Sequence, residues 1–114
     1  MRMPYHPDRD QMDLVTILAA LSDPTRLAIV LQLSEMGEEA CSSIDHAPKT
    51  SLSYHYAKLR EAGVTRTRIE GTQRFISLRR DDLEARFPGL LDSVVTNARR
   101  DGGLKTRAFP AEIQ

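Results

Sequence analysis

One cysteine in 114 residues excludes an internal disulfide framework and cannot supply the paired thiolates of a zinc clip. Soft or imidazole donors are equally scarce: Cys41, His6, His46 and His55 are all there are. A metalloid site needs about three thiolates and a transition-metal site four or more donors, so no metal is expected beyond a weak grouping of Cys41, His46 and His6, and no cofactor. The chain has no apolar run near the roughly 20 residues that span a bilayer and no signal-peptide pattern, which predicts a cytoplasmic protein. A nucleophile motif, a Gly-rich phosphate loop and a catalytic carboxylate pair are also missing, which argues against an enzyme. The cluster Asp81, Asp82, Glu84 is explained as acids complementing the dipole of a helix start.

What the chain does have is an uneven distribution of charge. Sixteen basic and sixteen acidic side chains sum to zero, yet residues 49–80 hold eight basic residues against Glu61 and Glu70, a local +6. Residues 1–48 carry −5 and residues 81–114 carry −1. Association responds to the local potential, screened within about 8 Å at physiological salt. A basic helix followed by a basic ribbon is what a major groove and its flanking phosphates attract, so double-stranded DNA is the expected partner.

The apolar pattern predicts one small, mainly α domain with a β-hairpin. Residues 1–11, with Pro4 and Pro7, show no sustained period and are expected to form a mobile arm. Leu14, Ile17, Leu18 and Leu21 place a first helix up to Leu21, and Asp23 with Pro24 starts a second, which Gly37 ends. Its inward stripe is read as Leu27, Val30, Leu31 and Ser34, widened by Ile29 and Leu33. A short third helix is expected around Ser42 and Ile44, and after the Ala47, Pro48 turn a fourth helix is entered through Lys49 and Thr50. Leu52, Tyr56, Leu59 and Gly63 share one face of the fourth helix, leaving polar residues on the other. Residues 65–69 and 74–79 around Gly71 read as a hairpin. A last helical region opens at Asp81 and Asp82, with Pro88 starting a second segment whose stripe of Leu90, Leu91, Val94, Val95 and Ala98 is longer than a small core needs, which suggests a subunit interface. At this size a dimer sharing its core is an easy route to stability. Residues 101–114 lack a period and are expected to be disordered, although Leu104 and Phe109 could dock on a partner.

Three stretches in order, LSDPTRLAIVL at 21–31, SLSYHYAKLREAGV at 51–64 and EGTQRFISLRRDDL at 70–83, resemble the ArsR-type (ArsR/SmtB-like) winged helix-turn-helix repressors of bacteria. The resemblance covers roughly residues 12–100 and implies the order α1-α2-α3-α4-β1-β2-α5. It also implies a homodimer through the first and last helices, in which Leu14, Ile17 and Leu18 join Leu90, Leu91, Val94 and Val95. The fourth helix would enter the major groove, where Ser51, Ser53 and Tyr54, with Thr50 beside them, match positions that face base edges; Thr50 reads equally as a helix cap. Lys49, Lys58, Arg60, Arg68 and Arg74 become candidate phosphate contacts, with Gln73 and Arg74 at the wing tip and His55 as either a buried or a phosphate-touching residue. Arg26 reads as a structural ion-pair former.

The chain departs from the family in lacking its usual metal-ligand sets, paired cysteines on the third helix or Asp and His on the last. The regulator is therefore expected to be a dimeric repressor of a palindromic operator, answering an unidentified small-molecule effector or none. Three alternatives stay open: an activator on the same fold, a thiol-based redox-responsive repressor using Cys41, and a winged-helix interaction module without DNA binding.

Overall fold

The computed structural model describes residues 3–40 and 49–108, with residues 49–51, 105 and 106 described by their backbone. The elements are α1 (Leu14–Leu21), α2 (Pro24–Met36), β1 (Glu39–Ala40), α3 (Lys49–Ala62), β2 (Thr65–Glu70), β3 (Gln73–Leu78), α4 (Arg80–Arg86), α5 (Leu90–Arg100) and α6 (Leu104–Ala108), preceded by a 3-10 turn at Arg9–Gln11. The expected short third helix, the Ala47, Pro48 turn, Cys41 and His46 fall outside the described residues, so the expected fourth helix is α3 here.

Helix starts follow the capping chemistry. The Asp13 carboxylate accepts the Thr16 backbone N–H at 2.9 Å and its hydroxyl at 2.8 Å, which sets the start of α1 at Leu14. Asp23 accepts the Arg26 N–H at 3.0 Å ahead of Pro24 at the first helical position, as its sequence predicts. The residues of α2 that are fully buried are Ile29, Val30 and Leu33, whereas Leu27, Leu31 and Ser34 are only half-buried. The expected stripe is rotated because α2 packs against α1, α3, α5, α6 and β3 together, so the side turned to most neighbours wins.

The core joins these residues to Met12, Ile17, Leu59, Val64, Ile76 and Leu83. Strands β2 and β3 pair antiparallel from Thr65 with Leu78 to Glu70 with Gln73, turning through Gly71 at φ 62°. Thr65, Thr67 and Ile76 face the core, and Arg66 and Arg68 face outward. A third strand that the sequence did not announce, β1, adds to β3 with Glu39 opposite Ile76 and Ala40 opposite Phe75, giving the order β1-β3-β2. No single described helix is long and apolar enough to cross a membrane.

Two segments without sequence periodicity are held by long-range contacts. In the expected mobile arm, Pro7 is buried, the Thr67 N–H donates to His6 Nε2 at 3.0 Å, and Arg60 donates to the Tyr5 carbonyl at 3.1 Å. Arg79, only 6% exposed, donates to the Pro7 carbonyl at 2.7 Å and to Asp82 at 2.9 Å, while Arg9 donates to Asp82 at 2.8 Å. In the expected disordered tail, α6 buries Leu104 and Ala108 against α2, and the Thr25 hydroxyl donates to the Ala108 carbonyl at 2.9 Å. Phe109 lies outside the described residues.

The Asp82 contacts have a pH signature. Hydrogen bonding from Arg9, then from Arg79, holds the Asp82 carboxyl below the ordinary value of 3.8, against the opposing effect of burial. A depressed folded-state value contributes stability that is present above 3.8 and lost as pH falls through the lower folded value. Asp82→Asn is therefore expected to be less stable than the native chain at pH 7 and to lose less stability on acidification, as read by thermal unfolding from pH 7 to pH 2. Parallel curves for the two proteins would contradict the assignment.

Candidate nucleic-acid interface

Helix α3 is divided along its length. Leu52, Leu59 and Ala62 sink into the core at 5%, 0% and 4% exposure, while Ser53, Tyr54, Lys58 and Glu61 stand exposed. Tyr54 is 57% exposed, its ring faced by the Lys58 ammonium at 5.4 Å and by the edge of His55 at 5.5 Å. The flanking cation and imidazole orient a side chain that water would otherwise leave free. Of the expected base-contact residues, Ser53 and Tyr54 thus lie together on the outward face; the side chains of Thr50, Ser51 and Lys49 lie outside the described residues.

His55 belongs to a different structure. Its Nδ1 lies 3.1 Å from an Arg26 guanidinium nitrogen and 3.8 Å from an Asp23 carboxylate oxygen. A guanidinium can only donate, so Nδ1 accepts and the imidazole is neutral in this contact. Burial, the largest effect, pushes the His55 pKa down; Asp23 raises it and Arg26 lowers it. Arg26 also donates to the carbonyls of Ala20 at 2.6 Å and Ala19 at 3.5 Å at the end of α1, where a cation complements the helix dipole. His55, read as either a buried or a phosphate-touching residue, braces α3 against the α1–α2 corner here, and Arg26, read as an ion-pair former, instead donates to this imidazole and to the carbonyls at the end of α1.

The end of α3 sets where the hairpin lies. Gly63 takes φ 90°, its N–H donates to the Arg60 carbonyl, and the Val64 N–H reaches back to the Leu59 carbonyl, both at 3.0 Å. This is a Schellman closure, in which a left-handed residue satisfies the last carbonyls, and buried Val64 follows it into β2.

On the hairpin, Gln73 and Arg74 are exposed beside the turn, as their positions predict. Arg68, a candidate phosphate contact, has partners within the chain. Its guanidinium forks onto Glu38 at 2.9 and 3.2 Å, reaches Glu70 at 2.7 Å and stacks over Phe75 at 4.5 Å. The Arg68 bond also holds the Glu38 carboxyl below its ordinary range. Because Glu38 and Asp82 come from outside residues 49–80 yet meet Arg68, Arg66 and Arg79, the folded field is smaller than the linear count of +6 implies. Nothing in the local spacing around Arg68 could have shown this.

No protein-family model matches the chain. The chain is 40% identical over 82 residues to the HTH-type transcriptional regulator YceK of Bacillus subtilis, covering 68% of this chain and 82% of that protein. It is 39% identical over 61 residues to the arsenical resistance operon repressor of Escherichia coli, covering 50% of this chain and 51% of that one. The crystal structure of an ArsR family transcriptional regulator has the same fold, with a TM-score of 0.57 at 23% identity over 84% of this chain and 94% of the other. The chain belongs to the ArsR family of helix-turn-helix transcriptional regulators.

For an ArsR-family regulator, a DNA-binding rather than an enzymatic role follows. No group of three or more His, Cys, Asp or Glu able to hold a metal occurs among the described residues. Of the residues expected at a subunit interface, Ile17, Leu91 and Val95 are buried in this chain's own core at 1%, 7% and 8% exposure. Leu14 and Leu18 remain 43% and 47% exposed, Leu90 and Val94 are half-buried, and Val15, which the helical spacing did not single out, is 77% exposed. Leu18, Leu21, Leu27, Val94 and Ala98 line a shallow groove of about 340 Å³ where α1, α2 and α5 meet.

Proposed function

We propose that this regulator is a homodimeric repressor that binds a palindromic operator, with one α3 in each half-site and the hairpin against the backbone. The observation that carries the reading is the outward face of α3, where Ser53, Tyr54 and Lys58 are exposed on a helix whose other face is sunk in the core. Hydroxyls on such a face donate to or accept from base edges, and Lys58, Arg60 and Arg74 supply charge for phosphates. Repression follows by occlusion of polymerase, consistent with the repressor named among the relatives.

The dimer would use the α1 surface of Leu14, Val15 and Leu18 with the half-buried Leu90 and Val94 of α5, since exposed apolar residues grouped on one face favour burial. Two recognition helices would then sit about one helical turn, roughly 34 Å, apart on one face of the duplex. Leu18→Glu is expected to convert the dimer to a monomer in sedimentation velocity and to weaken operator binding at least about tenfold, because paired half-sites lose their mutual support. A variant that stays dimeric with native affinity would remove this face from the interface.

Salt dependence separates the wing residues. If Arg74 touches a phosphate, Arg74→Ala lowers the slope of log affinity against log salt by about one. Arg68, already engaged by two carboxylates, should change it less. Equal changes for the two variants would show that DNA draws Arg68 away from Glu38.

A further inference from the structure

The base of the wing carries a second basic feature that DNA reading does not use. A depression of about 380 Å³ is lined by Arg9, Arg66, Arg79, Arg80, Asp81 and Asp82. Four guanidinium groups against two carboxylates leave a local surplus of two positive charges. Asp82 alone serves three of them: Oδ1 accepts from Arg9 at 2.8 Å, and Oδ2 accepts from Arg79 at 2.9 Å and from Arg66 at 3.5 Å. The Arg66 contact is at the limit of a hydrogen bond and its side chain is 58% exposed. Arg80 donates to the Ser34 carbonyl at 3.0 Å and has no carboxylate partner among the described residues.

From this arrangement we infer that the cleft is a binding site for a small phosphoryl anion, with Arg66 and Arg80 as its principal ligands and Asp82 as the organising counter-charge. Guanidinium forks match the oxygens of a phosphoryl group in pairs, and one carboxylate shared among three arginines leaves donor capacity for such a ligand. The volume suits a small phosphorylated molecule. The walls come from three separate parts of the chain, Arg9 from the arm, Arg66 and Arg79 from the wing base, and Arg80 and Asp82 from α4. An anion bridging them would reinforce the bonds that already join the arm to the wing base, which is how occupancy would reach DNA binding. Only that last link rests on the repressor reading; the binding step stands without it.

The test is a titration of the full chain with inorganic phosphate at constant ionic strength, read by NMR of the arginine side-chain Nε–H groups, with chloride as the reference salt. The expected result is saturable shifts at Arg9, Arg66, Arg79 and Arg80, an affinity reduced about tenfold or more in Arg66→Ala and in Arg80→Ala, and native affinity in Arg100→Ala, which removes an exposed arginine from α5. Unsaturated shifts spread over all arginines would overturn the proposal, as would native phosphate affinity in both cleft variants. No phosphate binding, together with a shallower salt slope for DNA in Arg66→Ala and Arg80→Ala, would also overturn it and assign the cleft to the DNA backbone. A protein that binds phosphate as described but shows no operator preference would retain the site and lose only the repressor reading.

Discussion

Gly63→Ala is expected to destabilise the domain by about 2–4 kcal/mol, adding the cost of a non-glycine residue in a left-handed conformation to that of overpacking. The residue takes φ 90°, so any L side chain is strained there, and a Cβ would lie 2.7 Å from Met12 Cγ. Met12 is itself 2% exposed, within the core, and an atom next to its own Cβ has little freedom to swing clear. For a domain of this size the melting temperature should fall by on the order of 10 °C or more. The two contributions separate in a Met12→Ala background, where the clash is gone and the increment from Gly63→Ala should shrink toward the backbone cost of about 1–2 kcal/mol. A variant within about 0.5 kcal/mol of native would show that the Schellman closure does not need this glycine, a surface-like effect for a buried site.

The second large effect concerns recognition. Replacing Ser53 and Tyr54 by Ala together is expected to reduce preference for the operator over scrambled DNA by roughly thirtyfold or more, since two base contacts of about 1–3 kcal/mol each sum to at least about 2 kcal/mol. Both side chains are exposed, so the fold should be retained and nonspecific affinity nearly unchanged. Tyr54→Phe isolates the hydroxyl: the ring would keep its place beside Lys58 and His55, and any lost preference would belong to the phenol oxygen. Equal losses on operator and scrambled DNA would assign these residues to general affinity and remove them from base reading.

Parts of the fold differ in how visible they were before the structure was known. The cap at Asp23 with Pro24, the hairpin turn at Gly71 and the two-faced α3 are local events, encoded within a few residues, and each is found where the spacing places it, whereas Gly63, read as part of the helix face, closes α3 instead. Strand β1 is two residues long and carries no period; it exists because β3 offers it an edge. The arm and α6 are held by side chains far off in the sequence, among them Arg79 on Pro7, 72 residues away, and Thr25 on Ala108, 83 residues away, and such pairings leave no trace in a local pattern. The same reasoning accounts for His55 and Arg68. Neither the helix nor the ribbon sequence shows that in the folded chain Arg26 meets His55 and Glu38 meets Arg68. At the α1 and α5 surface the stripe was legible, but which members close this chain's core and which remain uncovered depended on how deeply each helix sinks.

The most direct test of the account is fluorescence anisotropy of the purified protein on the DNA upstream of its own coding region, against scrambled DNA of equal length, across a range of salt. The reading of α3 as a base-contacting helix predicts affinity at least about a thousandfold tighter for the native sequence at physiological salt. Binding that falls with salt but is the same on both DNAs would contradict sequence-specific recognition by Ser53 and Tyr54, leaving only the attraction of a basic surface for phosphate.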